Sequence, residues 1–430
     1  MCVSRRGFLK VAGGGLAGVA LPGLLAACAT TPDSAKPIGR VVVVGGGYGG
    51  ATVAKYIRLW SEKRIDVVLI EPNAQFVSCP LSNLVLGGSR TIESLTFTRD
   101  KLRDYGVQLI RDEAAVIEVE KKRVQLKGGD ILSYDRVILA PGIDFLYDEI
   151  PGLKNEDAKR VVMHAWKAGA QTVALRSQLE AMPDGGTYIL SIPQAPYRCP
   201  PGPYERACQV AYYFKRAKPK SKVLLLDANP DLVSKKALFL AAWNELYPGI
   251  IDYLPNQEVK DVDAKTLTVK TEFDTFQGDV VNVIPPQRAG AIAASTKLIT
   301  ANNRWCGVNW QTMESVAASG VHVIGDSTLS AQAMPKSSSM ANNHAKIAAS
   351  AIVAQLTGSP INPNPVISNT CYSWVSATEA VHINAVFRYD LEKKTLLPVE
   401  GAGGLSAKRN EQEYEYGIDW ALNIWADTLA

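Results

Sequence analysis

A strand, a glycine-rich turn and a helix follow one another near the start of the chain, and they restrict the fold more than any other feature. Residues 40–44 are a β-branched run typical of a buried parallel strand. Gly45-x-Gly47-x-x-Gly50 follows it and opens a predicted helix over residues 51–60. Residues 66–70 predict a second buried strand. This order is the βαβ unit of a dinucleotide-binding fold.

Each residue of this turn has a physical reason for its place. Gly45 allows the tight turn, Gly47 allows a pyrophosphate to approach the backbone, and Gly50 allows the helix to pack closely on the strand. The helix N-terminus stabilises phosphate charge. Glu71, at the end of the second strand, is positioned to accept hydrogen bonds from a ribose hydroxyl.

Two later segments favour FAD over NAD. Residues 134–142 resemble the strand and turn that close the FAD domain of two-dinucleotide-fold enzymes. Residues 321–326 resemble their second FAD signature, in which an aspartate binds the ribityl chain; a helix cap is the alternative role for that aspartate. The predicted FAD contacts in these segments are Pro141, Gly142, Gly325 and Asp326.

Two further cofactor contacts are predicted outside these segments. Lys336 precedes a predicted helix over residues 338–356. In such flavoproteins a lysine and a helix end here face the pyrimidine edge of the flavin, where they stabilise the reduced form. A surface lysine is the alternative. Val116, in the strands expected over residues 107–124 of a small sheet, completes the predicted set.

The turn of a second α/β region departs from the dinucleotide pattern. Strands are predicted over residues 187–192 and 222–227, but the segment after the first contains five prolines among residues 193–203 and no GxGxxG. Proline has no backbone N–H with which to hold a pyrophosphate. We therefore expect nicotinamide binding to be lost. The same segment holds Cys199 in a rigid loop.

The sequence Pro-Tyr-x-Cys-Pro-Pro-x-Pro-Tyr-Glu at residues 196–205 makes the resemblance specific. It is similar to the flavoprotein subunit of flavocytochrome c sulfide dehydrogenase and, more loosely, to sulfide:quinone oxidoreductases. The resemblance extends over residues 38–430. It implies FAD-dependent oxidation of sulfide to sulfur or polysulfide.

The resemblance also implies roles for three cysteines and one acid. Cys199 and Cys371 match the pair that forms a redox disulfide over the flavin; a structural disulfide or two unrelated thiols are the alternatives. Cys79 matches a cysteine bonded covalently to the 8α-methyl group of the flavin. Glu205 could transfer a proton, or could simply be an acidic residue at a helix start.

The first residues have the features of an export signal. Ser4-Arg5-Arg6-Gly7-Phe8-Leu9-Lys10 resembles a twin-arginine signal, and an apolar, glycine-rich run follows. We expect a periplasmic protein. Residues 25–28 resemble a lipoprotein-processing site, so a lipid on Cys28 is the alternative to a soluble mature chain. No other stretch is long and apolar enough to span a bilayer.

Composition restricts partners and cofactors. The net charge of +4 gives no sign of a basic nucleic-acid-binding surface. No CxxC or HxxxH spacing occurs, so no metal site is predicted. Cys208 and Cys306 are expected to be buried apolar residues. No CxxCH occurs either, so a c-type cytochrome would be a separate subunit, forming a heterodimer with this chain.

Three functional hypotheses follow from these observations. The first is a sulfide dehydrogenase that passes electrons from FAD to the cytochrome. The second is a sulfide:quinone oxidoreductase, for which an apolar stripe near the end of the chain would contact the membrane. That stripe consists of Trp420, Leu422, Ile424 and Trp425. The third is a non-catalytic flavin and disulfide redox sensor or assembly factor.

The predicted fold class is α/β, with two Rossmann-like domains and a C-terminal α+β region. The expected organisation is an export signal at residues 1–35, an FAD-binding domain in two segments, a second dinucleotide-type domain between them, and a C-terminal region that covers the flavin or forms an interface. The four segments of the folded part are residues 36–155, 156–285, 286–358 and 359–430.

Overall fold

Five parallel strands form the first sheet of the protein, whose computed structural model describes residues 36–430. The sheet is buried on both faces, which is why its central strand is a run of valines with Val41, Val42 and Val43 fully inaccessible to solvent. The predicted export signal and Cys28 lie outside the described residues. In spatial order the strands are Val321–Val323, Arg136–Leu139, Gly39–Val44, Ile65–Ile70 and Gln108–Ile110.

Two helices cover one part of this sheet. Tyr48–Trp60 begins at the glycine-rich turn and packs against Ser338–Thr357, which follows the returning strand Val321–Val323. The strand order therefore joins segments that are far apart in the sequence. One prediction was wrong. Residues 108–110 were expected in the small sheet, but they pair in parallel with Ile65–Ile70 as the edge strand of the first sheet, where Leu109 and Ile110 are partly buried.

A small antiparallel sheet follows this edge. It consists of Ala114–Glu118, Arg123–Leu126 and Ile131–Ser133, and it turns at Gly128 and Gly129 between the last two strands. The alternation of buried and exposed residues in Arg123–Leu126 is typical of a strand with one face in water.

A second parallel sheet has four strands, in the order Ile251–Leu254, Lys222–Asp227, Thr187–Ile192 and Val280–Val283. The strands predicted at 187–192 and 222–227 are neighbours and pair in register over all six residues. Helices Ala170–Ala181, Gly202–Ala217 and Lys236–Leu246 accompany it, and an antiparallel three-stranded sheet is inserted before its last strand. The inserted strands are Val259–Asp263, Thr268–Thr271 and Thr275–Gln277.

The C-terminal region is an antiparallel sheet covered by the last helix. Val366–Trp374 and Ala380–Asp390 form a long hairpin, extended by Thr395–Pro398 and Gly404–Leu405. The helix Glu411–Leu429 begins at Asn410, whose side chain accepts a hydrogen bond from the Glu413 N–H at 2.8 Å.

The remaining elements are short. They are the helices Ser82–Gly87, Glu156–Val161 and Ala291–Ser295 and the strand pairs Phe76–Val77 with Thr96–Phe97, Ile143–Phe145 with Gln287–Ala289, and Ile299–Ala301 with Trp305–Cys306. Among residues 36–430, no helix combines the length and apolar character that crossing a bilayer requires. The predicted fold class, two Rossmann-like sheets with a C-terminal α+β region, is confirmed.

Candidate functional site

A cleft of about 990 Å³ opens at the carboxyl end of the first sheet. All three regions of the chain contribute to its walls, and the glycine-rich turn, the returning strand and the C-terminal hairpin meet there. In open parallel sheets this is the edge at which ligands bind. The cleft is therefore the candidate site.

The glycine-rich turn shows why each glycine is needed. Gly45 has φ +98°, and a Cβ there would lie 2.5 Å from the Ala140 carbonyl oxygen. At Gly50 a Cβ would lie 1.7 Å from the Gly45 carbonyl oxygen, so helix and turn could not pack. At Gly47 nothing lies within 4 Å, and the residue faces the open cleft. These placements fit the predicted pyrophosphate cradle.

Glu71 lies at the wall of the cleft beside this turn. One carboxylate oxygen accepts the Gly46 N–H at 2.8 Å and the other accepts the Asn73 N–H at 2.9 Å. Arg99 approaches it at 4.0 Å and donates to the Gly46 carbonyl oxygen at 2.6 Å. Glu71 is thus held rigidly at the end of its strand, with lone pairs left to accept from a ligand hydroxyl.

Asp326 is a partly buried acid with a solvent-inaccessible acceptor atom, Oδ1. Its Oδ1 has no hydrogen-bond partner among residues 36–430, although the residue lines the cleft. Burial raises the pKa of its carboxyl group, while Arg198 and Lys336 oppose that rise. Buried polar atoms of native proteins are rarely left unpaired, so a ligand hydroxyl donating to Asp326 is the expected partner. The residues present therefore fit FAD.

The turns around Asp326 form the floor of the cleft. Pro141, Gly142 and Gly325 all line it, and Gly142 and Gly325 have φ values of +68° and +73°. The Gly142 carbonyl oxygen accepts a hydrogen bond from the Ser327 hydroxyl at 2.5 Å, which ties the two sheet-closing turns together.

Two predicted cofactor contacts are placed away from the cleft. Val116 lies on the small antiparallel sheet with 46 % of its surface exposed and does not line the cleft. Lys336 is buried beneath the cleft. Its Nζ donates to the carbonyl oxygens of Asp326 and Thr328 and lies 3.6 Å from the centre of the Trp305 ring, and burial lowers its pKa to about 7. The structure does not bring either side chain to the cleft, because their own elements direct them elsewhere.

Cys79 lies in the loop after Phe76–Val77 and lines the cleft. Its carbonyl oxygen accepts the Ser82 N–H at 3.0 Å and the Ser82 hydroxyl at 2.7 Å, so the loop is closed on itself. Pro80 follows it. The thiol is free and partly exposed to the cleft.

Cys199 is held in an unusual backbone conformation. Its φ is +59°, a region that costs a residue with a Cβ on the order of 1 kcal/mol. The Cys199 N–H donates to the Lys336 carbonyl oxygen at 2.8 Å, and its own carbonyl oxygen accepts the Gly202 N–H at 2.9 Å. A Cβ at Gly202 would lie 2.9 Å from the Cys199 Sγ and 2.7 Å from the Trp166 ring. The loop therefore fixes this sulfur in the cleft.

Glu205 is buried in the first turn of the helix Gly202–Ala217. The Asn83 side chain donates to its Oε1 at 2.8 Å and the Trp374 N–H to its Oε2 at 3.3 Å. Burial raises the pKa of the Glu205 carboxyl group to about 7, against the hydrogen bond from Asn83 and the charge of Lys235. A carboxyl group that titrates near neutral pH can carry a proton in either direction.

Cys371 lies on the hairpin strand Val366–Trp374 and lines the cleft, as Cys199 does. Burial raises the pKa of both thiols. A negative charge on Cys371 raises the pKa of Cys199 further, and the charge of Glu205 raises the pKa of both thiols. The five cysteines among residues 36–430 are free thiols. The predicted redox disulfide thus stays a prediction, with its two residues on one cleft.

Lys235 is a residue that sequence reasoning did not single out. It precedes the helix Lys236–Leu246, has φ +53°, and is 5 % exposed. Its Nζ lies 3.7 Å from the Cys371 Sγ and 2.7 Å from the Cys371 carbonyl oxygen. In the sequence it is one of two adjacent lysines, which is typical of a solvated helix start, so no signal distinguished it.

The crevice of the second sheet is filled by its own side chains. Asp227 ends the strand next to Thr187–Ile192 and is fully buried. Its Oδ2 accepts from the Tyr204 and Tyr253 hydroxyls at 2.8 and 3.1 Å, and its Oδ1 accepts from Asn229. The acid at this strand end is satisfied within the protein and does not line the cleft.

Cys208 and Cys306 are both fully buried. The Trp243 Nε1 donates to the Cys208 Sγ at 3.2 Å, and burial raises the pKa of the Cys208 thiol beyond the range in which it ionises near neutral pH. Neither cysteine lines the cleft.

Matches to protein families cover most of the folded chain. Residues 39–177 match the pyridine nucleotide-disulphide oxidoreductase family. Residues 172–285 match the central part of the sulfide dehydrogenase (flavocytochrome c) flavoprotein chain, and residues 363–429 match the flavin-binding part of flavocytochrome c sulphide dehydrogenase.

Individual relatives agree with these matches. The chain is 22 % identical over 380 residues to the mitochondrial sulfide:quinone oxidoreductase of Dictyostelium discoideum, covering 85 % of this chain and 81 % of the relative. It is 59 % identical over 46 residues to the sulfide dehydrogenase (flavocytochrome c) flavoprotein chain of Chlorobaculum thiosulfatiphilum, covering 11 % of this chain and 94 % of that one.

A solved structure supports the fold. The sulfide:quinone oxidoreductase of Aquifex aeolicus superimposes with a TM-score of 0.71 at 18 % identity, covering 92 % of each chain. The two sheets and the cleft define a flavin-dependent oxidoreductase of the pyridine nucleotide-disulphide type. Within that class, the chain belongs to the sulfide-oxidising flavoprotein family that includes the flavoprotein chain of flavocytochrome c sulfide dehydrogenase. The resemblance seen in the sequence is confirmed.

Proposed function

We propose that this protein is the flavoprotein subunit of a sulfide dehydrogenase. It oxidises sulfide to sulfur or polysulfide through a redox disulfide between Cys199 and Cys371, and it passes electrons from FAD to a separate c-type cytochrome subunit. The observation that carries the proposal is that both sulfurs line the cleft that fits FAD. The buried Glu205 carboxyl group is close enough to both thiols for its charge to raise their pKa values.

The cysteine chemistry uses groups that the cleft already holds. A hydrosulfide anion attacks one sulfur of the disulfide, the S–S bond breaks, and a persulfide and a thiolate result. Glu205, whose pKa is about 7, accepts the proton that the new persulfide releases. Further sulfide displaces the outer sulfur as HSS⁻, the shortest polysulfide, and leaves a second thiolate. When the two thiolates join again as a disulfide they release two electrons, for which bound FAD would supply the acceptor.

Nicotinamide is not the electron partner in this proposal. The turn that would hold its pyrophosphate contains prolines, and Asp227, which would face its ribose, is bonded within the protein by Tyr204 and Tyr253. Sulfide therefore supplies the electrons, and they leave the flavin through a protein or a quinone.

A cytochrome is preferred over a quinone as the electron acceptor. Two members of the predicted membrane stripe, Ile424 and Trp425, are buried against the protein itself, and the Trp425 Nε1 donates to the Tyr48 and Ser78 hydroxyls at 3.0 Å. Leu422 is 53 % exposed, and an isolated apolar residue is ordinary on a soluble surface. The sulfide:quinone oxidoreductase alternative is favoured by the relatives that cover most of the chain.

Cys79 is proposed as the site of a thioether to the flavin. It lines the cleft on a closed loop beside the glycine-rich turn, and a covalent bond would prevent loss of the cofactor. Denatured protein should then carry flavin fluorescence on gel electrophoresis, and Cys79→Ser should remove it. Fluorescence that is lost on denaturing the wild type would exclude the thioether.

The proposed location is the periplasm, reached by the twin-arginine pathway. The basis is Arg5-Arg6 and the apolar run that follows them, and a lipid at Cys28 is the alternative to a soluble mature form. Cell fractionation with an Arg5→Lys, Arg6→Lys variant tests the location. The variant should remain in the cytoplasm, and unchanged periplasmic recovery would contradict the proposal.

The first experiment is an anaerobic sulfide titration followed by flavin absorbance. The wild type should bleach with sulfide, and Cys199→Ser and Cys371→Ser should not. Cys208→Ser is the matched control, since that cysteine is buried away from the cleft, and it should bleach as the wild type does. Bleaching of both cleft variants at the wild-type rate would overturn the disulfide route.

The second experiment identifies the acceptor. The sulfide-reduced protein is mixed in parallel with a soluble c-type cytochrome and with a short-chain quinone, in the absence of detergent. Rapid reoxidation by the cytochrome alone is expected. Reoxidation by the quinone alone would establish the alternative, and reoxidation by neither would favour the redox sensor.

A further inference from the structure

A buried lysine lies beside one of the two cleft cysteines. The Lys235 Nζ has three acceptors, the Cys371 carbonyl oxygen at 2.7 Å, the Ser373 hydroxyl at 2.9 Å and the Cys371 Sγ at 3.7 Å. These three acceptors match the three N–H donors of an ammonium group. The lysine thus joins the start of the helix Lys236–Leu246 to the hairpin strand that carries Cys371.

No carboxylate oxygen among residues 36–430 lies within 4.0 Å of this ammonium group. A buried charge without a partner is costly, and buried charges in proteins are normally paired. The ionisable group in direct contact with Lys235 is the Cys371 thiol. The nearby Glu205 carboxyl group accepts its hydrogen bonds from Asn83 and Trp374 instead.

The surroundings of Cys199 are different. Its backbone N–H donates to the Lys336 carbonyl oxygen and its Sγ lies against Gly202. Within the described part of the chain, residues 36–430, no lysine or arginine nitrogen makes a hydrogen bond to its sulfur. The charged groups that act on it from a distance are Glu205, Arg198 and Lys235. The two sulfurs of one cleft therefore have unequal access to a positive charge.

We propose that Lys235 is a positioning residue that fixes the Cys371 sulfur and supplies the positive charge opposite a Cys371 thiolate. When the pair is reduced, two electrons break the S–S bond, one sulfur takes up a proton as a thiol, and the other remains a thiolate. The geometry assigns the thiolate to Cys371 and the thiol to Cys199. The role of this thiolate in turnover rests on the proposed function; the charge assignment does not.

The test measures which sulfur is deprotonated. The holoprotein is reduced with excess phosphine under anaerobic conditions and treated with iodoacetamide from pH 6 to pH 9. Alkylation of each cysteine is then read by peptide mass spectrometry. The variants are Lys235→Met and Lys235→Arg. Lys236→Met is the matched control, because that neighbour is exposed and pairs with Asp231.

In the wild type, Cys371 should be alkylated at lower pH than Cys199. In Lys235→Met, the rate of Cys371 alkylation at pH 7 should fall about tenfold, which corresponds to a rise of about one unit in the pKa of Cys371. Lys235→Arg should recover part of the rate, and Lys236→Met should match the wild type. A purely structural role would lower flavin content without moving the pH midpoint of Cys371.

Either of two results would overturn the proposal. One is a Cys371 midpoint in Lys235→Met equal to that of the wild type. The other is a wild-type protein in which the pH midpoint of Cys199 alkylation lies at or below that of Cys371. This result needs no variant, so it can be obtained even if the variants do not fold. The alkylation test uses no sulfide, so its outcome is independent of the sulfide titration. Either the charge assignment or the proposed function can fail while the other is supported.

Discussion

Two turns occupy equivalent places in the two parallel sheets and have opposite chemistry. The first, between Gly39–Val44 and Tyr48–Trp60, is built of glycines that leave space and free N–H groups at a helix start. The second, between Thr187–Ile192 and Gly202–Ala217, is long and rich in proline, and it holds a thiol in a left-handed backbone conformation. The same strand–turn–helix arrangement can therefore hold either a phosphate group or a fixed cysteine sulfur, and the residues of the turn decide which.

The acids at the neighbouring strand ends differ in the same way. Glu71 lies on the cleft wall, with its carboxylate held by backbone N–H groups. Asp227 is enclosed by Tyr204, Tyr253 and Asn229 and does not line the cleft. The second sheet therefore lacks both the cradle and the accessible acid, which is the physical difference between a dinucleotide site and a scaffold for a cysteine.

The largest expected effect is at the first turn. Gly50→Ala should prevent folding of the first domain, because its Cβ would meet the Gly45 carbonyl oxygen at 1.7 Å. Gly47→Ala should fold, since nothing lies within 4 Å of its Cβ, but should bind less FAD because the methyl group enters the cradle. Soluble yield and the flavin-to-protein ratio measure both effects. A fully flavinated Gly50→Ala protein would contradict this account of the turn.

The second turn makes an all-or-none prediction. NADH or NADPH, added anaerobically in large excess, should leave the flavin spectrum of the wild type unchanged, because the proline-rich segment cannot hold a pyrophosphate. Sulfide added to the same sample should then bleach it. Stopped-flow absorbance checks both steps, and rapid bleaching by either nicotinamide would show that the two turns are functionally alike.

The buried acid beside the second turn predicts a pH effect on stability. Glu205 has a folded-state pKa of about 7 against an ordinary value of 4.5, so the folded protein retains a proton that the unfolded chain has released. The free energy of unfolding should therefore fall as pH rises from about 4.5 to about 7, by on the order of 3 kcal/mol. Above pH 7 this contribution should be constant.

Urea unfolding of the holoprotein at pH 5 and pH 8 measures this difference. Glu205→Gln should lack this pH-dependent part, since its amide does not titrate. Glu180→Gln, on an exposed helix surface, is the matched control and should follow the wild type. If the Glu205 variant keeps the full pH dependence, the acid is not titrating near pH 7 in the folded protein.

The smallest effect is expected at Cys208, on the same helix as Glu205 but away from the cleft. Cys208→Ala leaves the Trp243 N–H without its sulfur acceptor and should lower the free energy of unfolding by about 1–2 kcal/mol. The rate of flavin bleaching by sulfide should not change. A large loss of that rate would mean that the cleft chemistry extends further along the helix than the structure indicates.

The fold could be predicted because its determinants are local. The valines at 41–44 and the spacing of Gly45, Gly47 and Gly50 specify a strand, a turn and a helix without reference to the rest of the chain. Residues 187–192 and 222–227 were predicted as strands from their apolar runs, and the structure shows that they pair with each other. Residues 108–110 were misplaced because a three-residue strand acquires its partner only through the tertiary structure.

The candidate site was only partly accessible from the sequence. Cys199 could be named from its proline-flanked segment, and Cys371 from the family resemblance. Lys235 could not, because its burial depends on a strand more than one hundred residues later. Lys336 was expected at the cofactor from the family resemblance, and Val116 as one of the predicted contacts. The direction of a side chain is set by packing that the sequence does not show.

The hydrogen bonds from the Trp425 indole to Tyr48 and Ser78 have a consequence for the order of events during synthesis. Tyr48 and Trp425 are 377 residues apart, yet Tyr48 is part of the cleft wall. While the chain is still on the ribosome, the first sheet can form with that wall unsupported. Closure of the cleft wall by this contact must wait until the helix Glu411–Leu429 has left the exit tunnel.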